Sequence, residues 1–396
     1  MLIHKLFHLA LLLLLVACQT ELPTETLDVT PTATSQPLVP TATVPGLATV
    51  ATDEETAVSL ETTTNSDLTQ PTATPVQPTA TPQPETTAPT TPILSRFGVN
   101  AADADIDAGL AAGLPFGLVL NWNMSHTLAE SPDYTFWQMI RTGEEEGIKS
   151  DWDVIAEFVD SHPGSVWIIG NEPDVRWQDD VTPQRYAELY HEAYTFIKGR
   201  DPTAQIATAG IAQSTPLRRA YLDIVLETYE ANYGEPMPVD IWTIHAFTLR
   251  EEKDSWGVDI PPGMDAITGE LYEIDQHGDI EIFKQNIIDF RVWMAERGYQ
   301  ERPLAITEFG LIMPHDYGFP ETRVAAYVEQ TFDFLTTATN ETGYPDDNYL
   351  LVQQWFWYML HDAGDYPTGN LYEPSTDQLT LAGMAYRDYV EQLLDE

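Results

Sequence analysis

The chain has few of the residues on which disulfide-bonded, metal-binding and nucleotide-binding proteins depend. Cys18 is the only cysteine in 396 residues. This excludes an intramolecular disulfide, a zinc or iron–sulfur site with cysteine ligands and a cysteine nucleophile in the folded domain. No Walker A, Gly-x-Ser-x-Gly or His-Glu-x-x-His string occurs. Apart from His245, the histidines of the domain show no ligand-like spacing. We therefore expect neither a cofactor nor a metal ion.

Basic residues are also scarce. The chain has 18 Lys and Arg against 62 Asp and Glu, a formal net charge of −44. Residues 93–396 alone carry 53 acidic and 17 basic side chains, a formal charge of −36. Because phosphate binding depends on cationic charge, this balance argues against nucleic acid as a partner. It also argues against uronic-acid-rich or sulfated polysaccharides and favours a neutral ligand.

The N-terminus resembles a bacterial lipoprotein signal. Lys5 is followed by an apolar run that is too short for a comfortable membrane span and ends in Leu15-Val16-Ala17-Cys18, which is similar to a lipobox. We predict a signal peptide at residues 1–17, lipidation of Cys18 and an extracytoplasmic, membrane-anchored location at the cell surface. An ordinary secretory signal with an incidental cysteine is the alternative.

Residues 18–92 differ in composition from everything that follows. They are rich in Thr, Pro, Ala and Val, contain no Lys or Arg, and repeat Pro-Thr-Ala-Thr four times. Such a segment has too little large apolar surface to offset the entropy of ordering, and its prolines favour an extended chain. We predict a disordered Thr/Pro-rich linker that tethers the domain to the membrane.

Residues 93–396 alternate between strand-like and helix-like patterns, which predicts an α/β domain with a (β/α)8 TIM-barrel fold. A loop at residues 125–134 replaces the helix between the second and third strands. A doubly wound open sheet is the alternative, but no Gly-x-Gly-x-x-Gly follows the first strand to support a nucleotide site in one. The eight predicted strands are Phe97–Asn100, Phe116–Trp122, Phe136–Arg141, Val166–Asn171, Ile206–Ile211, Ile241–Phe247, Leu304–Phe309 and Leu350–Tyr358.

Two glutamates follow apolar runs at the ends of the fourth and seventh predicted strands. Glu172 lies in Gly-Asn-Glu-Pro-Asp and Glu308 in Ile-Thr-Glu-Phe-Gly. The carboxyl ends of barrel strands meet on one rim, where catalytic residues usually lie. Glycoside hydrolysis needs a protonated and an ionised carboxyl group at such a place. One of the two would be protonated, with a raised pKa, while hydrogen bonds would keep the other ionised to attack or to activate water.

The two strings resemble the clan A glycoside hydrolases, retaining (β/α)8 enzymes that include many cellulases, mannanases and xylanases. The resemblance implies that Glu172 is the acid/base and Glu308 the nucleophile. It further implies that the amide of Asn171 hydrogen-bonds the sugar 2-hydroxyl. His245 ends the sixth strand, from which clan members often direct a His or Tyr at the nucleophile. Many carry His-x-Tyr, whereas this chain has Phe247 in place of the tyrosine.

Other residues are predicted to bind sugar. In the eighth strand Trp355 and Trp357 share one face, and the resemblance implies that one of them, Trp355 before Trp357, closes the subsite next to the cleaved bond. The alternative is that both tryptophans pack in the barrel core. Further candidates at strand ends or in the loops that follow are Trp177, Trp122, Asn100 and Asn121.

The sequence therefore predicts a lipid-anchored retaining glycoside hydrolase that cleaves O-glycosidic, β-configured bonds of a neutral poly- or oligosaccharide and acts as a monomer. One alternative is a carbohydrate-binding surface lipoprotein whose barrel is catalytically weak or inactive, which the missing tyrosine favours and the two glutamates disfavour. Another is a solute-binding lipoprotein that feeds a transporter, although its two-lobed fold does not predict paired strand-end glutamates.

Overall fold

The computed structural model describes residues 92–364 and 367–395. The predicted signal peptide, the lipidation site Cys18 and residues 18–91 of the predicted linker lie outside the described residues. Within them, no helix is both long enough and apolar enough to cross a membrane.

Strands and helices alternate along the described chain, as the sequence pattern indicates. The strands β1 to β8 are Phe97–Asn100, Leu118–Leu120, Thr135–Phe136 continued as Gln138–Ile140 (together β3), Val166–Ile169, Gln205–Thr208, Trp242–His245, Leu304–Phe309 and Gln354–Trp357. The helices α1 to α8 are Asp103–Ala111, His126–Ala129, Trp152–Ser161, Pro183–Arg200, Pro216–Tyr233, Ile280–Glu296, Glu321–Thr337 and Leu381–Asp395.

The eight strands run parallel around a ring. One sheet has the order β3-β2-β1-β8-β7-β6 and a second has the order β3-β4-β5. The two share β3, and a parallel bridge between Ala207 of β5 and Ile241, just before β6, joins them again. Because β8 pairs with β1, with Phe97 opposite Trp355, the order has no free end. The fold is therefore TIM-barrel-like rather than an open sheet.

Two apolar layers hold this arrangement together. A small cluster inside the ring includes Leu120, Ile168 and Phe356, and a much larger one fills the space between strands and helices. Alternate residues of a strand point to opposite faces, so Trp355 and Trp357 belong to the outer layer while Phe356 belongs to the inner one. The rim at the strand ends is left to polar side chains.

The connection from β2 to β3 differs from the prediction of a loop. It contains the single helical turn α2, whose start is capped by Ser125, since the hydroxyl accepts a hydrogen bond from the Leu128 amide at 3.2 Å. Short strands or 3-10 turns occur elsewhere: Thr142–Gly143 with Gly147–Ile148, Thr339–Tyr344, Tyr372–Glu373 with Gln378–Leu379, Ile93–Arg96, Ile274–Gly278, His315–Tyr317, Pro345–Asp347 and Pro367–Gly369.

The long segment after β6 is tied to its neighbours by a buried histidine. His277 has one ring nitrogen, Nδ1, 3.1 Å from the Thr248 carbonyl, and the Ile312 amide donates to its Nε2 at 3.0 Å. Burial lowers the pKa of His277 to about 4, so the ring is neutral and donates through Nδ1 while accepting through Nε2. The loops after β6 and β7 are thereby held together beside the rim.

Candidate active site

Glu172 and Glu308 meet at the carboxyl ends of the strands. Glu172 follows β4 and is 7% exposed, while Glu308 lies in β7 and is 6% exposed. One carboxylate oxygen of each and one ring nitrogen of His245 lie within 4.8 Å of one another. One pair of carboxylate oxygens therefore lies within 4.8 Å, a close approach of the kind found in retaining glycosidases, whose carboxyl groups are roughly 5–5.5 Å apart, whereas those of inverting enzymes are roughly 6.5–9.5 Å apart.

His245, the last residue of β6, lies between the two carboxylates. Its Nδ1 is 2.9 Å from Oε1 of Glu172, and its Nε2 is 3.4 Å from Oε1 of Glu308. A register shift between β6 and β7 pairs Glu308 with His245. Gly210 makes room for the ring, because a Cβ there would lie 2.4 Å from it. The imidazole is thus hydrogen-bonded to Glu172 through Nδ1, whereas its buried Nε2 faces Glu308 without a hydrogen-bond partner in the described residues.

The electrostatics of these three residues differ in part from the expectation. Burial raises the pKa of Glu308 to about 7; Glu172 adds to the shift, while His245 and the indole of Trp122 oppose it. Burial alone would lower the pKa of His245, but the Glu308 and Glu172 carboxylates outweigh it and raise that pKa. We expected hydrogen bonds to keep Glu308 ionised. Its desolvated position facing another acid instead favours its protonated form.

Trp122, considered from sequence only as a sugar platform, contacts the site directly. Its indole N–H donates to Oε1 of Glu308 at 2.6 Å. The residue follows β2 and has a positive φ of 63°. Its neighbours support this turn, because the Asn123 amide donates to Oδ1 of Asn121 and the Asn123 side chain donates to the Asn121 carbonyl, both at 3.1 Å. The Asn-Trp-Asn string directly after a strand was the available signal.

The backbone at Glu172 is also held in the left-handed region, with φ of 44°. The Glu172 amide donates to the Gly210 carbonyl at 3.1 Å, which ties the end of β4 to the end of β5. Non-glycine residues adopt this conformation only where their surroundings impose it. The direction of the Glu172 side chain is thus set by the two strand ends together.

A fully buried arginine, which the sequence did not single out, supports the loop that carries Glu172. Arg218 of α5 hydrogen-bonds the Asp174 carboxylate and its carbonyl, and its Nε donates to Glu251 at 2.8 Å. It also donates to the carbonyls of Val258 and Asp259, at 3.1 and 3.0 Å. One side chain thereby joins the loops after β4 and β6 and is hydrogen-bonded to both carboxylates.

Asn171 is buried beside Glu172. Its backbone amide donates to the Asp179 carboxylate at 2.8 Å, and the same oxygen of Asp179 accepts from the amide and hydroxyl of Thr142. Oδ1 of Asn171 is buried without a protein partner. Since an unpaired buried polar atom is costly, this oxygen is suited to a hydrogen bond with a ligand hydroxyl. Asp179 is a support that sequence reasoning missed.

The two other asparagines lie beneath the rim. Asn100 is fully buried and donates to the Thr307 carbonyl at 3.1 Å, which ties β1 to the residue before Glu308. Asn121 donates to Asp103 at 2.6 Å while its Oδ1 accepts from the Asn123 amide. Both therefore brace the residues that form the site.

The structure places the predicted tryptophans of β8 away from the site. Trp355 and Trp357 are fully buried in the helix-facing layer, where Trp355 packs on Phe97 at 4.7 Å between ring centres and Trp357 donates to the Gly369 carbonyl at 2.7 Å. Neither offers a face to a sugar. The prediction that Trp355 and Trp357 share one face of the strand is correct. The prediction that this face points to the sugar is wrong, because β8 carries aromatic residues on both of its faces.

Tyr358, the next residue, takes the expected place of a strand-end aromatic. It is half-buried, and its ring lies 5.9 Å from Trp122 and 6.0 Å from Phe247. Phe247, buried, also lies edge-on to His245 at 6.2 Å. These rings form an apolar wall beside Glu308. Trp177, half-buried in the loop after β4, has the Arg176 guanidinium 4.1 Å above its ring, and its contact with sugar stays a prediction.

The same three residues, Glu172, His245 and Glu308, form the one group of three acidic or histidine side chains in residues 92–364 and 367–395 that is close enough to hold a metal ion. Each nitrogen of His245 already faces a carboxylate oxygen, at 2.9 and 3.4 Å. Chemically, the site combines two desolvated carboxyl groups, a proton carrier and an indole donor in one pocket.

Comparisons with known proteins identify no matching family model and no matching curated protein. Solved structures are similar. One is a GH128 (subgroup III) curdlan-specific exo-β-1,3-glucanase from Blastomyces gilchristii, with TM-score 0.50 and 16% identity over 75% of this chain and 99% of that one. A GH128 (subgroup II) endo-β-1,3-glucanase from Pseudomonas viridiflava has TM-score 0.51 and 16% identity over 74% and 96%. A GH128 (subgroup I) endo-β-1,3-glucanase from Amycolatopsis mediterranei has TM-score 0.50 and 15% identity over 74% and 99%. At this identity the likeness establishes the fold.

Proposed function

We propose that the protein is a retaining glycoside hydrolase that cleaves β-glycosidic bonds of a neutral glucan. The observation that carries the proposal is the meeting of Glu172 and Glu308 at two strand ends, with an oxygen of each and a nitrogen of His245 within 4.8 Å of one another. Two carboxyl groups at this spacing suit a double displacement, because no room is left between them for the water that inversion requires.

The proposed reaction has two steps. In the first, a carboxylate oxygen of Glu308 attacks the anomeric carbon while Glu172 gives its proton to the leaving oxygen, so that a glycosyl ester forms and an alcohol departs. In the second, Glu172 takes a proton from water as the water attacks the ester, which returns Glu308 as a carboxylate with net retention.

His245 has a defined part in this scheme. The raised pKa of Glu308 favours its protonated form, whereas the nucleophile must be ionised when it attacks. With Nε2 near Glu308 and Nδ1 hydrogen-bonded to Glu172, the imidazole can accept a proton from one acid and donate one to the other. The acid and the nucleophile are thereby prepared in a single exchange that does not involve solvent.

β-1,3-Glucan is the first substrate to test. The similar folds include a curdlan-specific exo-β-1,3-glucanase and an endo-β-1,3-glucanase, and the formal charge of −36 over residues 93–396 favours an uncharged substrate. Half-buried rings at Trp122 and Tyr358 supply apolar surface of the kind that packs on the flat C–H faces of sugars.

The test is turnover with a stereochemical readout. The purified protein is incubated with reduced laminari-oligosaccharides, curdlan and, for comparison, xylan and mannan, and the first product is followed by proton NMR. We expect a β-anomer that mutarotates later. An α-anomer as first product would contradict the retaining assignment. Saturable binding of a laminari-oligosaccharide without any hydrolysis would favour the carbohydrate-binding alternative.

We further propose that Cys18 is lipidated and that the linker holds the domain at the cell surface. The support is the lipobox-like string and the composition of residues 18–92. Native protein should partition into detergent and incorporate labelled palmitate, and Cys18→Ser should lose both. Wild-type protein found unlabelled in the medium would contradict this proposal.

A further inference from the structure

The shortest contact to Glu308 comes from a residue outside the paired glutamates. The Trp122 indole donates to Oε1 at 2.6 Å, whereas His245 approaches the same oxygen at 3.4 Å. Within the described part of the chain, the hydrogen bond and the ion-pair contact of the Glu308 side chain both end on Oε1. Oε2 is thereby left for another partner.

The position of this indole is imposed by its surroundings. Trp122 has φ of 63°, a conformation that side-chain-bearing residues rarely adopt. Two hydrogen bonds between Asn121 and Asn123, across the tryptophan, close the turn. Asn121 is itself fixed to Asp103 at 2.6 Å. A strained residue held this firmly indicates that the placement of its side chain matters.

The ring is also fixed by packing. Trp122 lies edge-on to Tyr358, with 5.9 Å between ring centres, and Tyr358 lies edge-on to Phe247 at 6.0 Å. Phe247 stands where the clan A resemblance would place a tyrosine, and it has no hydroxyl to offer the nucleophile. Within this aromatic wall, Trp122 donates the hydrogen bond to Glu308.

We propose that Trp122 is a positioning residue for the nucleophile, holding Oε1 of Glu308 so that Oε2 faces the anomeric carbon. This inference rests on the proposed function. Because a hydrogen bond to a carboxylate favours its ionised form, the indole also keeps Glu308 deprotonated to lower pH than burial alone would allow. Its loss should impair the chemical step more than substrate binding.

The test removes the N–H and keeps the ring. Site-specific replacement of Trp122 by benzothienylalanine substitutes sulfur for the N–H group, and Trp122→Phe provides a second variant. Trp293→Phe is the matched control. Trp293 lies on α6, outside the site, and its indole also donates to a carboxylate, that of Asp223, at 2.9 Å. The readouts are kcat, KM and their pH profiles on a laminari-oligosaccharide, together with thermal unfolding.

We expect kcat to fall by about ten- to a hundredfold in both Trp122 replacements, as for a lost hydrogen bond to a charged group, with a smaller change in KM. The acidic limb of the pH profile should move to higher pH. Trp293→Phe should change neither kcat nor the position of the acidic limb. Partial recovery of kcat by Phe247→Tyr in the Trp122→Phe background would add support. Folded Trp122 variants with wild-type kcat and an unmoved acidic limb would overturn the proposal.

A carboxyl titration separates this inference from the proposed function. The Glu308 carboxyl carbon is followed by 13C NMR and assigned by its loss in Glu308→Gln. If its pKa rises when the N–H is removed while the unmodified protein cleaves no glycan, the contact is confirmed and the hydrolase proposal fails. If the protein cleaves glycan and the titration does not move, the positioning role fails alone.

Discussion

Two clusters of buried charge lie beside the loop after β4, and they differ in how their charge is balanced. One cluster consists of two acids, Glu172 and Glu308, and one titratable base, His245. In the other, Asp174 and Glu251 are both paired with Arg218, whose guanidinium is fully buried and always charged. The clusters are linked, because Asp174 is two residues from Glu172.

This difference in charge balance indicates which of the two clusters can take part in catalysis. Arg218 keeps its proton at all accessible pH values, so its cluster holds two loops in place. The first cluster has no such permanent cation. Burial raises the pKa of Glu308, whereas the Glu308 and Glu172 carboxylates raise the pKa of His245 against the effect of its burial. Groups with pKa values shifted in this way are typical of catalytic sites, and the ion-paired cluster next to them holds the two loops in place.

The largest expected effect is loss of the nucleophile from the first cluster. Glu308→Ala should lower kcat on every substrate by roughly 10⁴-fold or more, since each turnover needs the glycosyl ester. The measurement is hydrolysis of a laminari-oligosaccharide and of a dinitrophenyl β-glucoside. Azide should rescue this variant with formation of the α-glycosyl azide. Full activity of the variant on either substrate would break the assignment.

Loss of the acid should depend on the leaving group. Glu172→Ala should lose far more activity on the oligosaccharide than on the dinitrophenyl glycoside, because dinitrophenolate departs without protonation. Azide should accelerate turnover of the intermediate and give the β-glycosyl azide. Equal losses on both substrates would show that Glu172 does not act as the general acid.

Removal of the cation from the second cluster should lower the stability of the protein. Arg218→Met leaves Asp174 and Glu251 buried without their cation, which costs about 3–5 kcal/mol of unfolding free energy. Urea denaturation measures this cost. The control is Arg200→Met, because Arg200 pairs with Asp160 on the exposed surface and should change stability little. An Arg218→Met protein as stable as wild type would mean that the buried pairs do not hold the loops.

The smallest expected effect is a pH dependence of stability that belongs to the first cluster. Glu308 has a folded pKa of about 7, above its ordinary value of 4.5, so the folded state binds its proton more tightly. Its contribution is fully present below pH 4.5 and is lost as pH rises through about 7. His245, also raised, has the same sign: its contribution is present below 6.5 and is lost as pH rises through its folded pKa.

We therefore expect wild type to lose on the order of 2–3 kcal/mol of stability between pH 5 and pH 8 relative to Glu308→Gln, which cannot titrate there. Parallel urea titrations of the two proteins measure the difference. If the curves run parallel over this range, the cluster does not share a proton in the way inferred here.

Particular residues show how far sequence reasoning reached. The alternation of strand-like and helix-like patterns predicted eight strands and seven helices that are present in the described residues, because each depends on local periodicity. Glu172, His245 and Glu308 were found because each ends an apolar strand, and parallel strand ends necessarily share a rim. The pattern did not predict α2, since a single capped turn has too few residues for a period.

The sequence pattern was enough to show that successive residues of β8 point to opposite faces, and to indicate the type of chemistry that two strand-end glutamates support. Only the tertiary structure decided that Trp355 and Trp357 face the helices and Tyr358 the rim, because an aromatic-rich strand does not reveal which face is inward. It also decided that Trp122 contacts Glu308, 186 positions away in the chain, and that Arg218 pairs with two acids. Contacts and pKa values of this kind arise from desolvation and from distances between segments remote in sequence, which no local pattern encodes.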